Sequence, residues 1–189
     1  TFSQKFSNVK FLDAPISGGP EGAKNGTLSI MCGGNKDSFE VVKQALQAMG
    51  SRVVLMGDEG AGTATKLINQ LLVGIHSVAA NEALVFSKKL GLRNLNLLNN
   101  LIKDSWGHSK IFERCLGVLN DVDYNVFSKE LEHSGAPVKN LCKDLKIIIN
   151  EARENDIKLK ITEEVGDIYH HVENDLNLGN GDMAILGRL

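Results

Sequence analysis

Gly60 to Leu90 reads GAGTATKLINQLLVGIHSVAANEALVFSKKL. The stretch holds no proline, opens on a Gly-rich turn and is stopped by Gly91, so it is expected to form one long helix. Apolar residues fall around most of its circumference, the pattern of a helix buried inside a domain. Lys66, Asn69 and Gln70 stand at i, i+3 and i+4 near its start and so share one face. That face continues through Val73, Gly74, Ser77, Ala80 and Asn81, a stripe of small and polar residues on an otherwise greasy helix. A desolvated amine at Lys66 would lose part of its affinity for a proton and could exchange one near neutrality, with an amide beside it to fix a substrate hydroxyl. The same lysine could instead snorkel from the first turn to water. Residue types alone leave these two readings even.

Outward from this helix the chain changes character. Before Gly62, Val9–Ala14, Thr27–Cys32 and Val53–Met56 are short apolar runs bounded by Gly, Pro or polar residues, and read as buried strands. Asp37-Ser38-Phe39-Glu40 has the D-x-x-E form of a capping box, and Val41, Val42, Ala45, Leu46 and Met49 follow on one helical face. After Gly62 only helical periodicity returns, over Leu95–Lys103, Lys110–Leu119, Val138–Glu154 and Ile161–Leu176. The expected division is an α/β remnant over 1–62 and an all-helical domain over 63–189, opened by the long helix.

Composition narrows the function classes. A net charge of −2 gives no electrostatic reason to expect nucleic acid or an anionic membrane surface. No window is apolar enough to span a bilayer, since Leu67–Leu90 carries Asn69, Gln70, His76, Asn81, Glu82 and two lysines. Three cysteines, Cys32, Cys115 and Cys142, lack C-x-x-C spacing and a nearby histidine in sequence, so a disulfide framework, a zinc site and a thiol nucleophile all lack support. This suits a reducing, cytoplasmic compartment, with an organelle left open. The chain starts at Thr1 with TFSQKFSNVKF, which reads as the end of a helix running into a strand. Material upstream is therefore expected.

Three further constellations can carry chemistry. In Asp13-Ala14-Pro15-Ile16-Ser17-Gly18-Gly19-Pro20-Glu21-Gly22-Ala23 a strand feeds a Gly-rich turn whose bare backbone N–H groups, with the Ser17 hydroxyl, suit a carboxylate or phosphate; a tight surface loop is the plainer reading. Lys139, Lys143 and Lys146 recur along a helix head with Asp144 inside the run, and a solvated basic face is the plainer reading there. Asp104-Ser105-Trp106-Gly107-His108-Ser109 breaks two helices; Trp106 reads as a packing anchor and His108 as a loop residue. His76 reads as a hydrogen-bonded core histidine able to reach a cleft. His170 and His171 diverge on a helix and make no metal pair.

Taken in order, these segments resemble the β-hydroxyacid dehydrogenase family. Its substrate signature D-A-P-V-S-G-G-x-x-G-A-x-x-G-T-L is similar to DAPISGGPEGAKNGTL at Asp13–Leu28. Its catalytic signature G-x-G-x-x-x-K-x-x-N-N/Q is similar to GAGTATKLINQ at Gly60–Gln70, and its K-D-L to Lys143-Asp144-Leu145. A looser S-A-G-x-S match falls on Ser105–Ser109, with Trp106 where a small residue is usual. The resemblance implies the C-terminal remnant of a Rossmann domain followed by an all-α dehydrogenase domain. It implies Ser17, Gly18 and Gly19 on a substrate carboxylate, Lys66 as general acid/base, Asn69 and Gln70 as helper amides, and Lys143 near the nicotinamide of NAD or NADP, with no metal. It also implies a short hydroxy-acid substrate and a homo-oligomer.

Gln70 stands where the family often has Asn, and KLINQLLVGIHSVAANEAL resembles the branch that includes L-threonate dehydrogenase. An apparent insertion around Asn120–Gly135 is expected near the cleft. The dinucleotide fingerprint G-x-G-x-x-G is absent, since Gly18, Gly19 and Gly22 do not reproduce it, so the chain alone is expected to bind cofactor poorly. A non-catalytic scaffold of the same fold and an imine reductase relative are disfavoured by the presence of Lys66. A phosphogluconate dehydrogenase is disfavoured by the scarcity of late arginines, since only Arg153 and Arg188 follow Glu151.

Overall fold

Pro15 explains the shape of the sheet's edge. In the computed structural model, which describes residues 9–120 and 136–188, the strand expected over Val9–Ala14 is reduced to β1 (Leu12–Asp13), and a second short piece, β2 (Ile16–Ser17), follows beyond Pro15. Both pair antiparallel with β3 (Ser29–Gly34) in one register, Leu12 opposite Gly34 and Ile16 opposite Ile30. Proline has no N–H to give the ladder, but its carbonyl accepts from Met31 N at 3.0 Å, so the edge is interrupted without being lost. On its other side β3 pairs in parallel with β4 (Arg52–Gly57). Between β2 and β3 lies a short helix, α1 (Gly19–Lys24).

Between β3 and β4, α2 (Lys36–Gln47) crosses back over the sheet. Its cap is Asn35, whose side chain accepts from Asp37 N at 2.9 Å and Ser38 N at 3.1 Å. The expected box at Asp37–Glu40 is thus displaced by two residues, and Glu40 pairs with Lys43. Phe39, not Val41, faces the sheet, and packs with Leu28, Ile30 and Cys32; Val41 is 82% exposed. The difference is one of phase. Placing the core at Phe39, Val42 and Leu46 keeps the 3.6-residue period while turning Val41 outward.

The long helix is α3 (Ala61–Lys89), followed by α4 (Leu95–Ile102), α5 (Lys110–Asn120), α6 (Val138–Glu154) and α7 (Lys160–His170). The helix expected to run to Leu176 ends earlier as regular α and passes into a π-turn at His171–Asp175; a 3-10 helix, Met183–Arg188, comes last. The residues divide into two compact units between Asn69 and Gln70, inside α3. The stripe of small residues on α3 has a packing role. Gly74, Ser77, Ala80, Asn81 and Leu84 are buried, and a Cβ at Gly74 would lie 3.0 Å from Leu145 and 3.4 Å from Val165. Gly74→Val is therefore expected to overpack this contact and cost about 1–3 kcal/mol, read as a lower urea midpoint; an unchanged midpoint would show that the contact yields freely. The opposite face of α3 does not match the expectation of burial, since Leu72 (47%) and Phe86 (64%) are exposed.

Two apolar clusters fill the second unit. One gathers Val138, Leu141, Leu145, Val165, Tyr169, Val172, Met183 and Ile185; the other joins Ala80 and Leu84 to Leu95, Phe112, Cys115 and Leu116. The C-terminal 3-10 helix is held by polar contacts. Tyr169 donates its hydroxyl to Met183 O at 2.7 Å, Gly187 N donates to Asn81 Oδ1 at 2.8 Å, and Arg114 pairs with the buried Asp182.

Candidate active site

In the first unit the chain leaves β1 through Asp13 and arrives at Ser17, half-buried at the end of β2. Gly18 (φ 134°) and Gly19 (φ 63°) then take conformations that L side chains rarely adopt. A Cβ on Gly18 would also come within 3.1 Å of the Leu28 side chain. The turn is fastened by Gly22 N donating to Gly18 O at 3.0 Å and Thr27 N donating to Gly22 O at 2.8 Å.

Asp13 connects this strand to the start of α3. A helix start leaves its first N–H groups without intrahelical partners. Here Gly60 N donates to Asp13 Oδ1 at 2.7 Å and Thr63 N to Asp13 Oδ2 at 2.6 Å. Burial pushes the Asp13 carboxyl up, but the N–H groups of Gly60 and Thr63 and the Thr63 side chain outweigh it and hold it below the ordinary carboxylate value. Its stabilising contribution is therefore in place above that ordinary value and is lost as pH falls through the lowered one. Glycines let the parts meet. A Cβ on Gly33 would strike Asp13 Oδ1 and come within 2.7 Å of Gly62 N, and one on Gly62 would strike Met31 O. Lys66 and Asn69, both half-buried, lie in the opening turns of the helix so anchored.

In the second unit, Gln70 donates from Nε2 to Asp144 Oδ2 at 2.7 Å, across 74 residues of sequence. The other oxygen, Asp144 Oδ1, lies 3.2 Å from Lys143 Nζ. Asp144 is well covered (16% exposed) while Lys143 is 67% exposed, so the carboxylate is the fixed member and the ammonium the accessible one. Two residues singled out from the sequence, Gln70 and Lys143, thus meet through a third, Asp144, which was noted inside the basic run and in the K-D-L match but given no role. The signal was one acid among lysines.

Other candidates fare differently. His76 is exposed on α3, not a core histidine, because it lies away from the face that buries Gly74 and Ser77. Trp106 is fully exposed among the described residues, in place of the packing anchor expected of it. His108 lies 3.1 Å from Glu113, whose carboxyl is held below its ordinary value by hydrogen bonds from His108 and Lys103. Burial pushes the Cys115 and Cys142 thiols up to about 12, far from a reactive thiolate. Among the described residues no group of three His, Cys, Asp or Glu side chains is placed to hold a metal ion, and no helix is long and apolar enough to cross a membrane. The apparent insertion at Asn120–Gly135 lies outside the described residues, save for Asn120 at the end of α5.

The family model for the NAD-binding domain of NADP-dependent 3-hydroxyisobutyrate dehydrogenase matches residues 60–189, and that for the NAD binding domain of 6-phosphogluconate dehydrogenase matches residues 3–57. The chain belongs to the β-hydroxyacid dehydrogenase family. It is 31% identical to 2-(hydroxymethyl)glutarate dehydrogenase of Eubacterium barkeri over 93% of this chain and 56% of that protein. It is 29% identical to L-threonate dehydrogenase of Haemophilus influenzae over 91% of this chain and 55% of that protein. A crystal structure of 3-hydroxyisobutyrate dehydrogenase from Salmonella typhimurium superposes with a TM-score of 0.80 at 27% identity, covering 99% of this chain and 63% of that one. The chain spans about half the length of the curated relatives it matches.

Proposed function

We propose that the protein carrying this chain is an NAD(P)-dependent oxidoreductase interconverting a short β-hydroxy acid and its oxo acid. The observation that carries this reading is the placement of Lys66 and Asn69 in the opening turns of a helix whose start is clamped, through Asp13, to the strand leading into Ser17-Gly18-Gly19. In this reading Ser17 and the backbone of Gly18 and Gly19 hold the substrate carboxylate. Lys66 takes the hydroxyl proton during oxidation and returns it during reduction, while the amides of Asn69 and Gln70 orient the hydroxyl. Asp144 fixes the Gln70 amide through the hydrogen bond described above. Gln reaches one methylene further than the family's frequent Asn, which shifts the amide and with it the substrate preference while keeping its role, and an L-threonate-like polyhydroxy acid fits the resemblance of this segment.

A nicotinamide cofactor is implied by the family. This chain's described residues fit one end of it, through the accessible ammonium of Lys143 at the head of α6. The turn at Gly18-Gly19 opens only a six-residue helix and is not a dinucleotide cradle. When bound, the nicotinamide supplies hydride exchange with the carbon bearing the hydroxyl. A homo-oligomer is also part of the proposal, supported by the large apolar side chains that α3 and α4 leave exposed, among them Phe86, Leu97 and Leu101.

The test is turnover of L-threonate, D-glycerate and 3-hydroxyisobutyrate by the intact protein with NAD and NADP in turn. Turnover of at least one acid is expected, and inertness toward every acid with both cofactors would overturn the proposal. A titration of the 189-residue chain alone with NADPH is expected to show no saturable binding at micromolar concentration. Appreciable affinity would contradict the expectation that the chain alone binds the cofactor poorly.

A further inference from the structure

We infer that Asp13 is a positioning residue for Lys66, and that the joint formed by Asp13, Gly33 and Gly62 sets the proton-carrying helix against the strand that presents the substrate turn. This rests on the proposed function and deepens it.

Helices are usually capped from within, by a Ser, Thr, Asp or Asn at the residue just before them. At the start of α3 that place is taken by Gly60 (φ 92°), which has no side chain to offer. The acceptor comes instead from a strand 47 to 50 residues earlier, and it is divided: Oδ1 takes Gly60 N and Oδ2 takes Thr63 N. A local cap would satisfy the same donors without tying the helix to anything. A cap delivered from β1 satisfies them only when the helix stands in one place relative to that strand. Lys66 is three residues beyond Thr63, and Ser17 is four residues beyond Asp13, so the clamp lies within a turn or so of both ends of the proposed chemistry.

The surrounding glycines remove the remaining slack. Gly33 and Gly62 bring β3 and the helix start so close to the Asp13 carboxylate that neither position has room for a methyl group. A longer acid would not fit the same joint, since one added methylene would carry the carboxylate past the positions from which it accepts from Gly60 N and Thr63 N. The two glycines of GAG therefore have separate duties: Gly60 supplies a positive-φ turn and a donor, and Gly62 allows close backbone approach. The charge on Asp13 matters as well as its shape. A carboxylate accepts with both oxygens, whereas an amide in the same place would aim an NH2 group at one of the two N–H donors.

The intact protein, as Asp13→Asn and Asp13→Glu, tests this against wild type, with Lys66→Ala run in parallel. Assays are made at a temperature where circular dichroism shows each variant fully folded. Asp13→Asn is expected to lower kcat about tenfold with KM changed by less than about threefold, because a small misplacement of the acid/base weighs on the reacting geometry more than on binding. Asp13→Glu is expected to fail to restore kcat although it restores the charge. A fully folded Asp13→Asn with wild-type kcat, or full rescue by Asp13→Glu, would overturn the inference while leaving the proposed function standing. If Lys66→Ala also retains wild-type turnover, the failure belongs to the functional reading itself. Should Asp13→Asn not fold, Gly62→Ala keeps every Asp13 acceptor and moves the helix start, and the same loss of kcat at near-constant KM is expected of it; wild-type kcat in folded Gly62→Ala would overturn the inference.

Discussion

Lys66→Ala is expected to lower kcat/KM of the intact protein by about 10²- to 10⁴-fold, the usual contribution of a positioned general acid/base. Alanine keeps the helix propensity and removes the amine together with its methylene stem, so the fold should be retained and the loss should appear mainly in kcat. Lys66→Arg is a sharper companion. Arginine keeps a cation in the first turns but does not surrender its proton near neutrality, so a purely electrostatic role would survive it and a proton-transfer role would not. Steady-state kinetics of both variants on the preferred acid separate these outcomes.

Asp182→Ala should have the largest effect on stability. Asp182 is 1% exposed, accepts from Arg114 Nε at 3.2 Å and from its terminal nitrogen, and also accepts from Ala184 N at 3.0 Å. It therefore serves one helix start and one guanidinium together. Around it the C-terminal segment is tied to the head of α6, with Met183 N donating to Ala136 O and Val138 N to Gly181 O. Removing one partner of a buried charged pair costs about 3–5 kcal/mol. Arg114 is partly open to water (37% exposed), which places this case near the lower end, at about 3 kcal/mol. For a chain of this size that is a fall in Tm of about 10 °C. A shift under about 2 °C would mean that water replaces Asp182 at Arg114.

What could be read in advance was what is local. The long helix and the run Val138–Glu154 emerged from periodicity because their apolar spacing and end signals lie within the segment itself. The cap of α2 was misplaced by two residues because Asn35 and Asp37 are both good cap residues, and the choice is made by the extended backbone of Asn35 after Gly34. The outer face of α3 looked buried because its residues are apolar, yet apolarity states what a face favours and not what covers it. His76 followed the same error, being assigned to a core that lies on the other side of the helix.

The candidate site was legible as residue types and much less as connections. Lys66, Asn69 and Gln70 were placed on one helical face by spacing alone. The links that organise them, Asp13 to Gly60 and Thr63 and Gln70 to Asp144, join positions 47, 50 and 74 residues apart and leave no periodic trace. Asp144 was named in the K-D-L match but given no role for that reason: its contact with Gln70 leaves no mark in the local spacing. Gly62 could have been found from the sequence, since glycine at the second position inside a helix costs about 1 kcal/mol against alanine and calls for a steric reason.

The most direct test of the central claim follows the hydrogen itself. A preferred β-hydroxy acid carrying deuterium on the hydroxyl-bearing carbon is oxidised by the intact protein, and the reduced cofactor is examined by mass spectrometry. The account requires the label to arrive on the nicotinamide in wild type, and its appearance to slow in Lys66→Ala by the same factor as kcat. Reduced cofactor without label, or equal rates in the two proteins, would contradict it.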